Sequence, residues 1–238
     1  MKKIFLSILA LSLFSCDVEQ LDSSISTDDN GNGSNPTSGD YFPMAVNNLW
    51  VYNNGTSNSD MKITGTETLN SKTYYKCDNF MVSPDFGGIA TVKYYFRKAD
   101  NVYYQNYEST LNLMGAVSVS KPSDDIILLK DNLPVGGTWT QNLILNSTTT
   151  VDNETFTFSD LYVINGKILQ KLTNYSVGGT TYPDVIKIEF KQTWTDEFST
   201  DTTSSIIYFA KGVGPIQSIS EDEDGVTYNS NLVSYSLN

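Results

Sequence analysis

The sequence predicts an all-β protein: an antiparallel, strongly curved sheet of half-barrel or barrel-like form, preceded by an N-terminal signal peptide and a disordered tether. Three observations predict it. Rings make up 12% of the 238 residues, with 15 Tyr and 11 Phe, while only 18% are charged. Mixed with abundant Thr, Ser and Asn, this composition favours strands over helices. From residue 41 onward, nearly every segment alternates with period two between turn signals. No long helical pattern interrupts that succession.

The chain divides into 1–15 as a lipoprotein signal peptide, 16–40 as a lipidated Cys with a flexible acidic tether, and 41–238 as a single β domain. The last segment has an ordinary length for one β unit. Lys2 and Lys3 give a positive start, and the run from Ile4 to Phe14 is apolar apart from Ser7 and Ser12. A small residue, Ser15, then precedes Cys16, which is the plan of a secretory leader. The apolar run is too short for a comfortable bilayer span.

Leu13-Phe14-Ser15-Cys16 resembles the lipobox of bacterial lipoproteins, although Phe14 is bulkier than the usual residue there. The resemblance implies that the Cys16 thiol takes a diacylglyceryl group and becomes the new N-terminus. Several acyl chains, each methylene contributing about 0.8 kcal/mol, hold a soluble domain at a membrane without a span. The expected location is the cell envelope, anchored by lipid to the outer membrane on its periplasmic or surface side. Cys77 would then be left unpaired, as a buried, inert thiol in a strand.

Residues 17–40 contain no Lys, Arg or aromatic residue. Such a segment cannot bury enough apolar surface to fold alone, so it reads as a tether. Asp17, Glu19 and Asp22 are loosely similar to the surface-export signals of Bacteroidota lipoproteins. Asp28-Asp-Asn30-Gly-Asn32-Gly33 matches the opening half of an EF-hand loop, yet Gly39 stands where the closing Glu belongs. A linker is therefore expected there, and no metal.

In the body, Met61 to Leu69 and Thr73 to Cys77 read as a hairpin across Asn70-Ser71. Ala90 to Lys98 and Val102 to Glu108 read as another across Ala99-Asp100-Asn101. Further strands are expected at Ile126 to Lys130, Thr138 to Leu145, Thr155 to Leu161, Gly166 to Tyr175, Val185 to Trp194, Ser205 to Ala210, Gly214 to Ser220 and Leu232 to Leu237. Two proline-led approaches each feed a strand opening on Trp, Phe42-Pro43…Trp50 and Leu133-Pro134…Trp139. One echo does not establish a repeat.

The segments Tyr41-Phe42-Pro43, Asn48-Leu-Trp50-Val-Tyr52, Thr181-Tyr-Pro-Asp184 and Tyr208-Phe-Ala-Lys211-Gly212-Val-Gly214 resemble those of uncharacterised Bacteroidota lipoproteins. The likeness spans most of the body. It implies a curved antiparallel sheet, like the half-barrels of lipoprotein carriers, and no particular reaction. Gly212 and Gly214 would serve a turn or bulge between two strands.

A net charge of -12 repels phosphate backbones, so nucleic acid is not an expected partner. The chain has no His, which removes the usual general base, the Ser-His and Cys-His pairs and the commonest zinc ligand. No cofactor is implied. Asp196-Glu197, with Glu189 upstream and rings nearby, has the residue types of a carboxylate-based carbohydrate hydrolase. Loop charge explains the same residues. Glu221 to Asp224 and Asp124-Asp125 read as acidic turns, with calcium as the alternative. Asp201-Thr202-Thr203 resembles the Bacteroidota O-glycosylation sequon, making Thr202 a candidate modified residue on an exposed loop.

Large aromatics more often fill a β core than face a ligand, so the three Trp residues have both readings open. The function that fits best is a non-enzymatic, envelope-anchored binding or structural module for a glycan, a lipid or a partner protein such as another lipoprotein. A hydrolase is the alternative, and catalytic and ligand residues stay unassigned.

Overall fold

The computed structural model describes residues 39–81, 89–221 and 226–238. Cys16, the tether before Gly39, the EF-hand-like stretch and residues 222–224 of the acidic run lie outside them. The first strands are β1 (Leu49–Asn53), β2 (Asn58–Lys62), β3 (Gly65–Leu69), β4 (Lys72–Met81), β5 (Ile89–Ala99), β6 (Val102–Leu113), β7 (Ala116–Pro122) and β8 (Ile126–Lys130). Then follow β9 (Thr138–Val151), β10 (Glu154–Leu172), β11 (Tyr175–Val177), β12 (Thr180–Tyr182), β13 (Val185–Thr195), β14 (Thr200–Ala210), β15 (Gly214–Glu221) and β16 (Thr227–Ser236).

Fourteen strands join one antiparallel sheet in the order β2-β1-β16-β15-β14-β13-β10-β9-β7-β6-β5-β4-β3, with β8 also paired to β6; β11 and β12 form a small separate hairpin. Tight turns set the registers. At Asn70-Ser71, Met114-Gly115 and Asp152-Asn153 both turn residues have positive φ, the geometry that matches a hairpin's twist.

The expected barrel or half-barrel is corrected by this order, because the sheet is open: among the described residues no ladder joins its ends β2 and β3. The chain itself links those ends through Ile63 and Thr64. Ile63 donates its N–H to the Asn48 carbonyl at 3.0 Å, whereas Thr64 donates to Lys76 at 2.8 Å. The strand expected over Met61 to Leu69 therefore breaks in two, its halves bonding opposite edges. Phe96 and Phe209 line one pocket although five strands lie between β5 and β14 in the sheet. Distant parts of the sheet thus share one core.

Trp50, Tyr52, Ile63, Tyr103, Tyr162, Ile164 and Ile188 are fully buried in that core. The two echoed tryptophans belong to it. Trp50 Nε1 donates to the Val213 carbonyl at 2.6 Å, and Trp139 Nε1 donates to Ile127 at 3.0 Å. Each is fitted by a glycine. A Cβ on Gly166 would lie 2.0 Å from the Trp139 ring, and one on Gly214, at φ +114°, would lie 3.0 Å from Trp50 Nε1. Gly166 pairs directly with Trp139 inside one 19-residue strand, β10, where the sequence suggests two strands.

Candidate functional site

The segments around Tyr41, Trp50, Asp184 and Gly212, singled out in the sequence, come together at one end of β13 and β14. Tyr41 donates its hydroxyl hydrogen to Asp184 Oδ1 at 2.7 Å, and Lys211 donates its backbone N–H to the Asp184 carbonyl at 2.9 Å. Gly212, at φ +72°, donates its N–H to the Asp40 carbonyl at 2.7 Å. Tyr52 donates to the Pro215 carbonyl at 2.7 Å, and Phe42 packs edge-on against Trp50. Asp40 also pairs with Lys98, whose ammonium sits over the Tyr103 ring. The Tyr103 hydroxyl accepts the Tyr41 N–H at 2.9 Å, and burial pushes its pKa up to about 12. Gly212 thus fills the turn role expected of it, and this node is the root of the N-terminal segment.

Asp124-Asp125, expected as a solvated acidic turn, divides into an exposed and a buried acid. Asp125 accepts hydrogen bonds from Tyr74 at 2.7 Å, Arg97 at 2.7 Å, Asn106 at 3.2 Å and Lys72 at 3.2 Å. Arg97 also lies 3.9 Å over the Tyr104 ring. Burial alone would raise the Asp125 pKa, but these four donors outweigh it and hold the group below its ordinary value. Burial and the bond to Asp125 push Tyr74 up to about 12. Near neutral pH the carboxylate stays ionised and the phenol protonated. The cluster is a clasp of β4, β5, β6 and the β7–β8 turn, with its oxygens already taken by cations and donors.

The carboxyls considered for hydrolysis do not assemble. Glu189 lies on β13 beside Lys191, at 3.3 Å, while Glu197 lies in the turn beyond Thr195. Six residue steps along β13 carry the chain from Glu189 to Thr195, about 20 Å of extended chain, whereas glycosidase pairs need roughly 5 to 10 Å. Asp196 accepts the N–H groups of Phe198 and Ser199 at 2.6 and 2.8 Å and so shapes that turn. Thr202 is exposed, as expected, but stands in β14 rather than on a loop, with its hydroxyl 2.9 Å from that of Thr193.

Cys77 is buried, with Sγ 3.0 Å from the Lys62 carbonyl oxygen. An apolar pocket between Phe42, Phe96, Ile207 and Phe209 measures about 20 Å3. That holds one water and no acyl chain. This pocket lends the lipoprotein-carrier reading no acyl-sized cavity.

The remaining candidate is the outer part of the β9–β10 hairpin. β10 pairs with β9 along Glu154 to Lys167, but meets β13 only from Leu161 onward, opposite Thr195. Among the described residues, Glu154 to Asp160 therefore have a strand on one side and none on the other. Phe156 and Phe158 are 48% and 51% exposed, yet they share the strand face of buried Tyr162 and Ile164. Their cross-strand partners are Thr149 and Ser147, which bond Ser118 and Ser120 on β7 through their hydroxyls at 2.8 and 2.7 Å. Trp194, paired with Tyr162 at the base of this arm, has a buried Nε1 with no hydrogen-bond partner among the described residues. Sequence reading expected the β10 half of the arm, over Thr155 to Leu161, but not the β9 half beyond Leu145, because Asn146 to Thr150 are uniformly polar. Only the alternation of Phe156 and Phe158 with Thr signalled the arm.

These features define an all-β protein built on one open antiparallel sheet, with a projecting aromatic arm. No family model matches the chain, and no curated protein sequence does. A solved structure that does match is that of a candidate lipoprotein from Parabacteroides distasonis. It is 10% identical, with a TM-score of 0.40, over 82% of this chain and 98% of that one. At that identity and score, the likeness says nothing of ligand or activity.

Proposed function

We propose that the protein is a lipid-anchored cell-envelope module that binds a partner through the β9–β10 arm and performs no chemistry on it. One observation carries the binding half of this reading. The N-terminal segment enters at the Asp184–Gly212 node, and β13 runs from Val185 at that node to Thr195 at the base of the arm. Ten residue steps make about 33 Å, so the arm stands at the end of these strands away from the tether root. A body held by its N-terminus presents its exposed rings away from the anchor. The leader ending in Cys16 supports the anchor, outer-membrane attachment fits it, and an O-linked glycan on exposed Thr202 fits an exported chain.

Lipidation of Cys16 and a disulfide between Cys16 and Cys77 would make opposite demands on one thiol. The chain has two cysteines, so a disulfide within one molecule would consume the thiol that a diacylglyceryl group needs. Mass spectrometry of the N-terminal peptide from full-length protein made in a Gram-negative host decides the point. The reading expects an acylated Cys16, and membrane association lost in Cys16→Ser; an unacylated, Cys77-linked Cys16 contradicts the anchor. For binding, a photo-cross-linking residue at 158 is expected to form adducts in the envelope that one at 93 does not. Equal adducts at both positions, or none at 158, contradict a binding arm.

A further inference from the structure

We infer that the open edge of β10 receives an extended segment of another protein as an added strand, and that this segment carries basic residues at both ends. The inference rests on the binding reading above and names the partner class. The two-residue turn Asp152-Asn153 makes Val151 and Glu154 the closing pair of the hairpin. Backbone groups of Glu154, Phe156, Phe158 and Asp160 then point to β9, and those of Thr155, Thr157 and Ser159 point to the open edge. All three are exposed. Among the described residues these N–H and C=O groups meet no strand, which makes the edge a template for strand addition, and Phe156 and Phe158 supply apolar contact for alternate side chains of the incoming segment.

Charge selects the occupant. Glu154 and Asp160 bracket the edge, and exposed Glu197 follows Thr195, the partner of Leu161. An incoming strand with Lys or Arg at both ends meets opposite charges. A second copy of this chain meets like charges. Antiparallel self-pairing centred on Thr157 sets Glu154 against Asp160 at both ends, between two bodies that each carry a net charge of -12.

The test uses the full chain with two synthetic peptides, Lys-Val-Thr-Val-Thr-Val-Lys and the same peptide with Glu at both ends, read by amide exchange. The lysine-flanked peptide is expected to slow exchange at Thr155, Thr157 and Ser159 by about tenfold or more, a clear shift in local opening, while the glutamate-flanked one leaves it unchanged. Thr157→Pro removes only an edge-facing N–H, so the hairpin ladder survives and the protection is expected to vanish. Phe156→Ser with Phe158→Ser, which leaves every backbone donor in place, is expected to weaken the peptide effect.

No slowing with the lysine-flanked peptide, equal slowing with both peptides, or protection kept in Thr157→Pro each overturns the inference. A concentration-dependent dimer of the wild-type chain that Thr157→Pro abolishes also overturns it, by making a second copy the occupant. Failure of these peptides beside successful cross-linking at position 158 removes strand addition and leaves the binding reading standing.

Discussion

The node around Asp184 and the arm from Glu154 to Asp160 are built from the same materials, tyrosine or phenylalanine rings beside acids and hydroxyls, and they end in opposite states. At the node, Tyr41, Lys211 and Gly212 direct their polar atoms to Asp184 and Asp40. Trp50 and Tyr52 direct theirs to the β14–β15 turn and the start of β15. In the arm, Phe156 and Phe158 stand half in water, and the edge N–H groups of Thr155, Thr157 and Ser159 face no strand among the described residues. The difference teaches that aromatic content does not locate a surface for partners. Whether the backbone beside the ring is already paired does.

If the node and core hold the body together while the arm does not, substitutions should separate the two regions by size of effect. Trp50→Ala should be the most damaging, because it empties a fully buried indole site and orphans the Val213 carbonyl. A loss of about 3–5 kcal/mol is expected in urea unfolding. Asp125→Ala comes next, at about 3 kcal/mol, since Arg97 and Tyr74 lose a shared buried acceptor.

The Asp125 cluster also fixes a pH signature. Its folded pKa lies below the unfolded value of about 3.9, so its contribution is fully present above that pH and is lost as pH falls through the lower folded value. Asp125→Asn should flatten the acid limb of the stability curve below about pH 4. A wild-type slope there that the variant retains would assign the acid sensitivity elsewhere.

Gly166→Ala should cost about 1–3 kcal/mol, because the added methyl enters the Trp139 ring and either the ring or the β9–β10 ladder must move. The arm itself should yield the smallest change. Phe156→Ser with Phe158→Ser is expected to stay within about 0.5 kcal/mol per site, as for exposed positions generally, while reducing cross-linking from position 158. A loss as large as that of Trp50→Ala would make the arm part of the core and end the contrast.

Much of the node was legible before the structure, because its segments are strand ends with strong signals: Trp50-Val-Tyr52, Tyr208 to Gly214, and the proline at 183. The strand at Ile126 to Lys130 was legible for the same reason, apolar residues between clear turns. What could not be read were strands whose buried positions are small and polar. β7 buries Ser118 and Ser120, and β9 continues through Ser147 and Thr149, so the hydrophobic alternation fades although the ladder persists. Asn165-Gly166 imitates a turn in sequence, yet the glycine is inside β10 because the Trp139 ring occupies the space of its side chain. The clasp at Asp125 was hidden too, since Lys72, Arg97 and Asn106 reach it from three different strands.

Amide exchange on the full-length protein without any ligand tests the contrast most directly. The Gly212 amide, bonded to the Asp40 carbonyl at the node, should exchange slowly, and the Thr157 amide, facing the open edge of β10, should exchange orders of magnitude faster. A Thr157 amide as protected as that of Gly212 would contradict the account, because the arm would then have no edge left to offer.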